Sequence, residues 1–282
     1  MKKQSSFLSD NNKCYLVATP IGNLSEMTPR AIEILNEVDL IACEDTRTSS
    51  VLLSYFNIKT KCISYHMHNE LESANKLIDI IKTNKSIALI SDAGYPLISD
   101  PGSVLVSKLI DEGIDVVPIS GSSAFINALV ASGILIQPFL FHGFLNGNDN
   151  DKIKVLDDYQ KLAFTLVFYE SPHRIKQTLN LMLQILGDRK ICLAREITKK
   201  HEEFMRGNIS EVIEECDNIK GEIVLIVDRV QEEIKVMDDE QVIFLLNELI
   251  NSGIHSKEAI KRISKEYNLK KSDIYALYHN NK

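Results

Sequence analysis

Six stretches of this chain carry polar clusters dense enough to do chemistry. They are Thr19-Pro20-Ile21-Gly22-Asn23-Leu24, Glu44-Asp45-Thr46-Arg47, the run from Ser91 to Gly102, Ser120-Gly121-Ser122-Ser123, Tyr169-Glu170-Ser171-Pro172-His173-Arg174, and Arg195-Glu196. The carboxylates of Glu44, Asp45 and Glu170 and the imidazole of His173 can accept a proton from a weak nucleophile. The planar guanidinium groups of Arg47, Arg174 and Arg195 suit two-point contacts to phosphate. Turns and helix caps use the same residue types, and Glu44 or Asp45 could equally pair with Arg47 or Arg30. One cluster alone decides nothing. Six of them, each following an apolar run, point to a site.

The apolar runs are the elements that must position these clusters. Strands are expected at 15–18, 38–42, 87–90, 114–117, 165–168, 191–193 and 222–227. The runs are nearly continuous in apolar residues, which fits strands covered on both faces of a mostly parallel sheet. Helices are expected at 29–36, 71–83, 102–112, 123–132, 174–186 and 209–217. Thr28-Pro29 reads as an N-cap followed by Pro at the first helical position. Gly113 and Gly187 read as C-terminal stops. Open parallel sheets bind ligands beyond the carboxyl ends of their strands, which is where the clusters fall. The polar stretch 146–151 reads as a linker. The expected organisation is an α/β chain with an N-terminal lobe at 13–133, a second α/β lobe at 134–232 and a small helical, basic tail at 238–282.

Composition narrows the function. With 282 residues, 44% hydrophobic and 25% charged, the chain is neither disordered nor fibrous. No apolar run approaches the ~20 residues of a membrane span. The polar start of the chain lacks the apolar core of a signal peptide, so a cytoplasmic protein with no membrane partner is expected. Five cysteines at 14, 43, 62, 192 and 216 show no CxxC spacing, which argues against disulfides and structural zinc. His66 and His68 sit in a polar stretch, and a hydrogen-bonding loop rather than a metal is expected there. The net charge is −7, yet residues 251–282 hold seven Lys/Arg against three Asp/Glu. Nucleic acid would have to be met by such a local patch. The glycine patterns of dinucleotide folds and P-loops and the GxSxG elbow of α/β-hydrolases are missing.

ATPIGNL (18–24), EDTR (44–47), HMHNE (66–70), SDAGYPLISDPG (91–102), FYESPHR (168–174) and AREITK (194–199) occur in one order. Together they resemble the tetrapyrrole methylase superfamily, and within it the family that methylates small-subunit ribosomal RNA. The resemblance covers residues 14–230, with a weaker echo in the tail. It implies the two-lobed fold of the class III S-adenosylmethionine methyltransferases, with the cofactor in the cleft between lobes, and a homodimer. It implies methylation of the 2′-hydroxyl of one decoding-centre cytidine in 16S rRNA, within the 30S subunit, and no metal.

By that resemblance, cofactor contacts fall to Pro20, Gly94, Tyr95, Ile98, Ser123, Ala124 and Tyr169, and to the loop before Ile223. Glycine at 94 and 121 lets backbone approach a ligand closely, and the helix start at Ser123 offers amides to a carboxylate. Tyr95 stands where the family usually has Thr, and Ile119-Ser120-Gly121-Ser122 replaces a more proline-rich turn. A ribose hydroxyl needs a general base, for which Asp45 is favoured over Glu44, Glu170 and His173, with Arg47 beside it. Arg174, Arg195 and the tail residues Lys257, Lys261 and Arg262 are the expected RNA contacts. Two other readings stay open: a relative acting on a tetrapyrrole or other small acceptor, and a non-catalytic ribosome-binding factor.

Overall fold

The computed structural model describes residues 1–8, 12–65, 70–230, 238–267 and 269–280. The chain divides into two compact units, residues 1–230 and 231–282. His66 and His68 lie outside the described residues.

The first unit contains two five-stranded sheets. The first comprises β1 (Lys13–Val17), β2 (Leu40–Cys43), β3 (Cys62–Ser64), β4 (Ile87–Ile90) and β5 (Asp115–Ile119), in the order β3-β2-β4-β1-β5. All its pairings are parallel. The helices of this half are α1 (Pro29–Glu37), α2 (Thr46–Tyr55), α3 (Glu70–Lys82), α4 (Ser103–Asp111) and α5 (Ala124–Ala131). Alternation along each strand splits its side chains between two cores. Ile41, Cys43, Ala88 and Ile90 join Leu35 of α1 on one face. Leu40, Ala42, Ile87 and Leu89 join Leu77 of α3 and Leu105 of α4 on the other. The connections leaving the adjacent strands β1 and β4 therefore pass on opposite faces, which opens a crevice at their carboxyl ends.

The second sheet comprises β6 (Phe139–Phe144), β7 (Thr165–Glu170), β8 (Lys190–Arg195), β9 (Glu203–Asn208) and β10 (Ile223–Val227), in the order β6-β7-β10-β8-β9. Here the expectation of a mostly parallel sheet needs correction. Only β6 and β7 are parallel; β7–β10, β10–β8 and β8–β9 are antiparallel. The apolar runs of β7, β8 and β10 record burial on both faces, not strand direction. One face packs on α6 (Asp149–Tyr159), α7 (Ile175–Leu186) and α8 (Ile209–Glu215). The other packs on Ile21 and on Ala128 and Leu129 of α5. A helix of the first half thus covers the sheet of the second, and the two halves share a core.

In the stretch 146–151, residues 146–148 are a loop and Asp149 opens α6, where Asn148 and Asp151 form a capping box. Asn and Asp satisfy free helix amides as readily as they populate loops. In the second unit α9 (Asp239–Asn251), α10 (Ser256–Glu266) and α11 (Lys271–Asn280) close around Val242, Leu246, Ile260, Ile263 and Ile274. Among the described residues no helix is long and apolar enough to cross a membrane. No cluster of three His, Cys, Asp or Glu side chains able to hold a metal occurs among them either.

Candidate active site

Two backbone hydrogen bonds define the floor of the crevice between β1 and β4. The Thr19 amide donates to the Gly94 carbonyl at 2.9 Å, and the Gly94 amide returns the bond to Thr19 at 3.0 Å. Thr19 Oγ1 donates to the Ser91 carbonyl at 3.1 Å. Gly94 has φ +78°, which glycine adopts without strain. Leu97, with φ +75°, holds a left-handed conformation without that freedom. Its loop is held at the far end by Glu70, whose Oε1 accepts from the amides of Gly102 at 2.8 Å and Val104 at 3.4 Å. Gly121 packs against the residue that follows β1 so closely that an added Cβ would lie 2.8 Å from Ala18 Cβ. Its amide donates to the Tyr95 hydroxyl at 3.1 Å. The Tyr95 side chain thereby ties the loop after β4 to the loop after β5.

These loops and the ends of β7 and β10 enclose a cavity of about 540 Å³. Gly94, Tyr95, Ile98, Ser123, Ala124 and Tyr169 all line it. Pro20 is buried beside it, and its neighbour Ile21 supplies the lining. Five acidic residues also line it, Asp92, Asp100, Glu170, Glu196 and Glu222, and no Lys, Arg or His among the described residues does. Ile21, Ile98, Phe144, Ile223 and Val224 provide apolar wall.

The five carboxylates are held differently. Glu170 is buried and accepts from the Ser171 amide at 2.7 Å, from Arg174 Nε at 3.1 Å and from Thr178 Oγ1 at 2.6 Å. Buried Lys152 reaches the Thr178 hydroxyl at 3.5 Å. Glu196 and Glu222 share the ammonium of Lys199, at 2.9 and 3.0 Å. That turn is strained, with φ +51° at Glu196 and +69° at Thr198. Asp92 and Asp100 form no ion pair with a cation among the described residues. Asp92 accepts weakly from the Asp45 amide at 3.4 Å. Burial pushes the Asp100 carboxyl above its ordinary range; a hydrogen bond from Ser91 opposes this and the charge of Asp92 adds to it. Burial likewise raises the Tyr169 phenol to about 12, with smaller contributions from Asp100 and Glu222.

The residues expected to do the chemistry lie elsewhere. Glu44, Asp45, Arg47 and His173 do not line the cavity. Asp45 is the N-cap of α2, and its carboxylate accepts from the Arg47 amide at 2.8 Å. Arg47 and His173 are exposed. Two of the expected phosphate contacts are engaged within the fold: Arg174 holds Glu170, and Arg195 pairs with Glu203 at 2.6 Å and donates to the Lys220 carbonyl at 3.3 Å. Lys257, Lys261 and Arg262 are exposed on α10. Sequence reasoning did not single out Asp92 and Asp100, although both lie inside the motif that it read as a cofactor loop.

Comparison with known proteins places the chain. The model of the tetrapyrrole (corrin/porphyrin) methylases matches residues 13–213. Ribosomal RNA small subunit methyltransferase I of Bacillus subtilis (strain 168) is 47% identical over 289 residues, covering 99% of each chain. The protein of the same name from Synechocystis sp. (strain PCC 6803) is 40% identical, covering 93% of this chain and 96% of its own. Among solved structures, a diphthine synthase superposes with a TM-score of 0.62 at 11% identity, covering 79% of this chain and 92% of its own. Cobalt precorrin-4 methyltransferase superposes with a TM-score of 0.58 at 16% identity, covering 77% and 94%. These two show the fold. The cofactor of this family is S-adenosylmethionine. The cavity fits it: acidic and apolar groups without a cation suit a sulfonium joined to a flat purine. The chain belongs to the ribosomal RNA small subunit methyltransferase I family of tetrapyrrole methylases.

Proposed function

We propose that this chain transfers a methyl group from S-adenosylmethionine to 16S rRNA of the 30S subunit, at the 2′-hydroxyl of one decoding-centre cytidine. The observation that carries the donor side is the acidic cavity at the crevice of the first sheet, which no Lys, Arg or His among the described residues lines. The names of the full-length relatives support the acceptor. When bound, S-adenosylmethionine supplies a methyl carbon made electrophilic by its sulfonium. Gly94, Tyr95, Ile98, Ser123, Ala124 and Tyr169 would hold it, with the Pro20 loop beneath. Tyr95 keeps the two loops in register through Gly121. The chain must bring the ribose oxygen in line at ~3 Å and exclude water, which is worth several orders of magnitude in rate.

A cavity lined by acidic residues, and by no Lys, Arg or His among the described residues, offers phosphate no partner. The RNA backbone is therefore met outside it, by the exposed cations Lys257, Lys261 and Arg262, whose nearest acidic partner for the last two, Glu258, is 3.9 Å away. Asp45 spends its carboxylate on α2 and acts in this reading by placing Asp92. The same reading makes the chain a homodimer, for which the exposed Ile126, Val130, Leu135 and Phe139 offer an apolar surface.

The test is transfer of labelled methyl to purified 30S subunits lacking the modification, followed by mapping of the labelled nucleotide. Label on a single decoding-centre cytidine ribose is expected. Cofactor binding without label on any ribosomal particle would shift the acceptor to a small molecule. Absence of cofactor binding would leave a ribosome-binding factor without chemistry.

A further inference from the structure

We propose that the exposed aromatic pair Tyr275 and His279 on α11 is a stacking platform for one unpaired base of the RNA substrate, with Lys271 taking the adjoining phosphate. The inference rests on the methyl-transfer reading above. The three residues stand at i, i+4 and i+8, so they line one stripe of α11. A different stripe, Ile274, Leu277 and Tyr278, packs into the core of the second unit. Tyr275 is 53% exposed, and its ring centroid lies 4.3 Å from that of His279. The half-buried Tyr278 also meets the His279 ring, edge-on at 5.3 Å. A residue of the core thus holds the imidazole, and the imidazole holds the exposed phenol.

A flat ring held beside cations suits a nucleobase. Every base has a π-face, so stacking on an aromatic side chain tolerates any sequence. Tyrosine and histidine are among the side chains on which unpaired RNA bases stack. The charge around the pair matches: residues 251–282 hold seven Lys/Arg against three Asp/Glu. Lys271 lies about 6 Å along the helix axis from Tyr275, within reach of the phosphate of a base lying on that ring, and exposed Lys270 precedes it. Asp273, the acidic residue of α11, stands two positions from both Lys271 and Tyr275, a spacing that turns it away from them. Its carboxylate accepts from Ser272 Oγ at 2.9 Å. The exposed neighbours of Tyr275 one turn away, Lys271, Ser272 and His279, are polar, which favours a base over an apolar protein face. The work then divides. The cations of the tail give affinity without sequence information, and the stack fixes one unpaired nucleotide in register.

The experiment compares the full chain with Tyr275→Ala, Tyr275→Phe, Tyr275→Trp and Lys271→Ala. Binding to 30S subunits lacking the modification, and to protein-free 16S rRNA, is measured against salt. Tyr275→Ala should weaken both by about 5–150-fold, the loss of one stacked base, and should leave the slope of log affinity against log salt unchanged. Lys271→Ala should lower that slope by about 0.7, one phosphate contact to a single strand. Tyr275→Phe keeps the ring and should bind like wild type. The sequence contains no tryptophan, so Tyr275→Trp places a single indole in the stack, and a single-stranded oligoribonucleotide should quench its emission. Equal affinity of Tyr275→Ala and wild type overturns the proposal, as does Tyr275→Phe as weak as Tyr275→Ala. Indole emission unmoved by saturating oligoribonucleotide overturns it too. A loss on 30S subunits that is absent on protein-free rRNA would assign the ring to a ribosomal protein and overturn the proposal as well. Wild-type chain that binds cofactor and labels no ribosomal particle would instead fail the rRNA reading, and the indole titration would still decide on the stack.

Discussion

Gly121 has no room for a side chain. A methyl group there would meet Ala18 Cβ at 2.8 Å and the Ala18 carbonyl oxygen at 3.1 Å, both on a buried segment that cannot swing away. Gly121→Ala should cost about 1–3 kcal/mol of stability, the usual penalty for overpacking, read by urea denaturation. Because the same loop leads into Ser123 and Ala124, calorimetry should also show weaker cofactor binding. Asp100 predicts the opposite sign. Its proton affinity is raised on folding, so above that raised value its ionised form destabilises the native state. As pH falls through the folded pKa, protonation relieves the cost. Asp100→Asn should therefore raise Tm at neutral pH, and the gain should vanish under acidic conditions. A residue kept at the expense of stability is what a working site is expected to contain.

The elements show why some charged residues near the site are structural. The link of Arg174 to Glu170 joins the end of β7 to the start of α7, and Thr178 one turn later completes the set. Arg174→Ala would strand a carboxylate with no exposed surface. Stranding a buried charge costs about 3–5 kcal/mol, and Thr178 together with the Ser171 amide should limit the loss to the lower end. Thermal denaturation checks this, and an unchanged Tm would return Arg174 to the pool of RNA contacts. At α6, Asn148→Ala should cost about 1 kcal/mol through its capping box. The sequence displayed most strands and helices of the first half, because parallel strands and their cover helices have distinct apolar periods. It hid β3, β6 and β9. β3 has three residues, β6 is irregular near Gly143, and β9 is a half-exposed edge with little apolar content. It also hid α2, whose start coincides with the EDTR cluster.

Across the whole molecule, charge is unevenly shared. The chain carries −7 overall, while residues 251–282 hold an excess of four positive charges. Replacing Lys257, Lys261 and Arg262 together by Ala should weaken binding to 30S subunits. It should also reduce the slope of log affinity against log salt by about 0.7–0.9 per lost phosphate contact. Cofactor affinity should stay unchanged, since none of the three lines the cavity. The sequence by itself determined the family and placed most of the residues around the cavity in a few polar motifs. These are short, contiguous motifs built from local turns, glycines and helix starts. Only the tertiary structure decided which carboxylates are free. Lys199 draws Glu196 and Glu222 together from separate loops, Arg174 and Thr178 hold Glu170 inward, and Asp45 is committed to α2. Charge compensation acts through space between residues far apart in the chain. Asp92 and Asp100 therefore stand out only once the chain is folded.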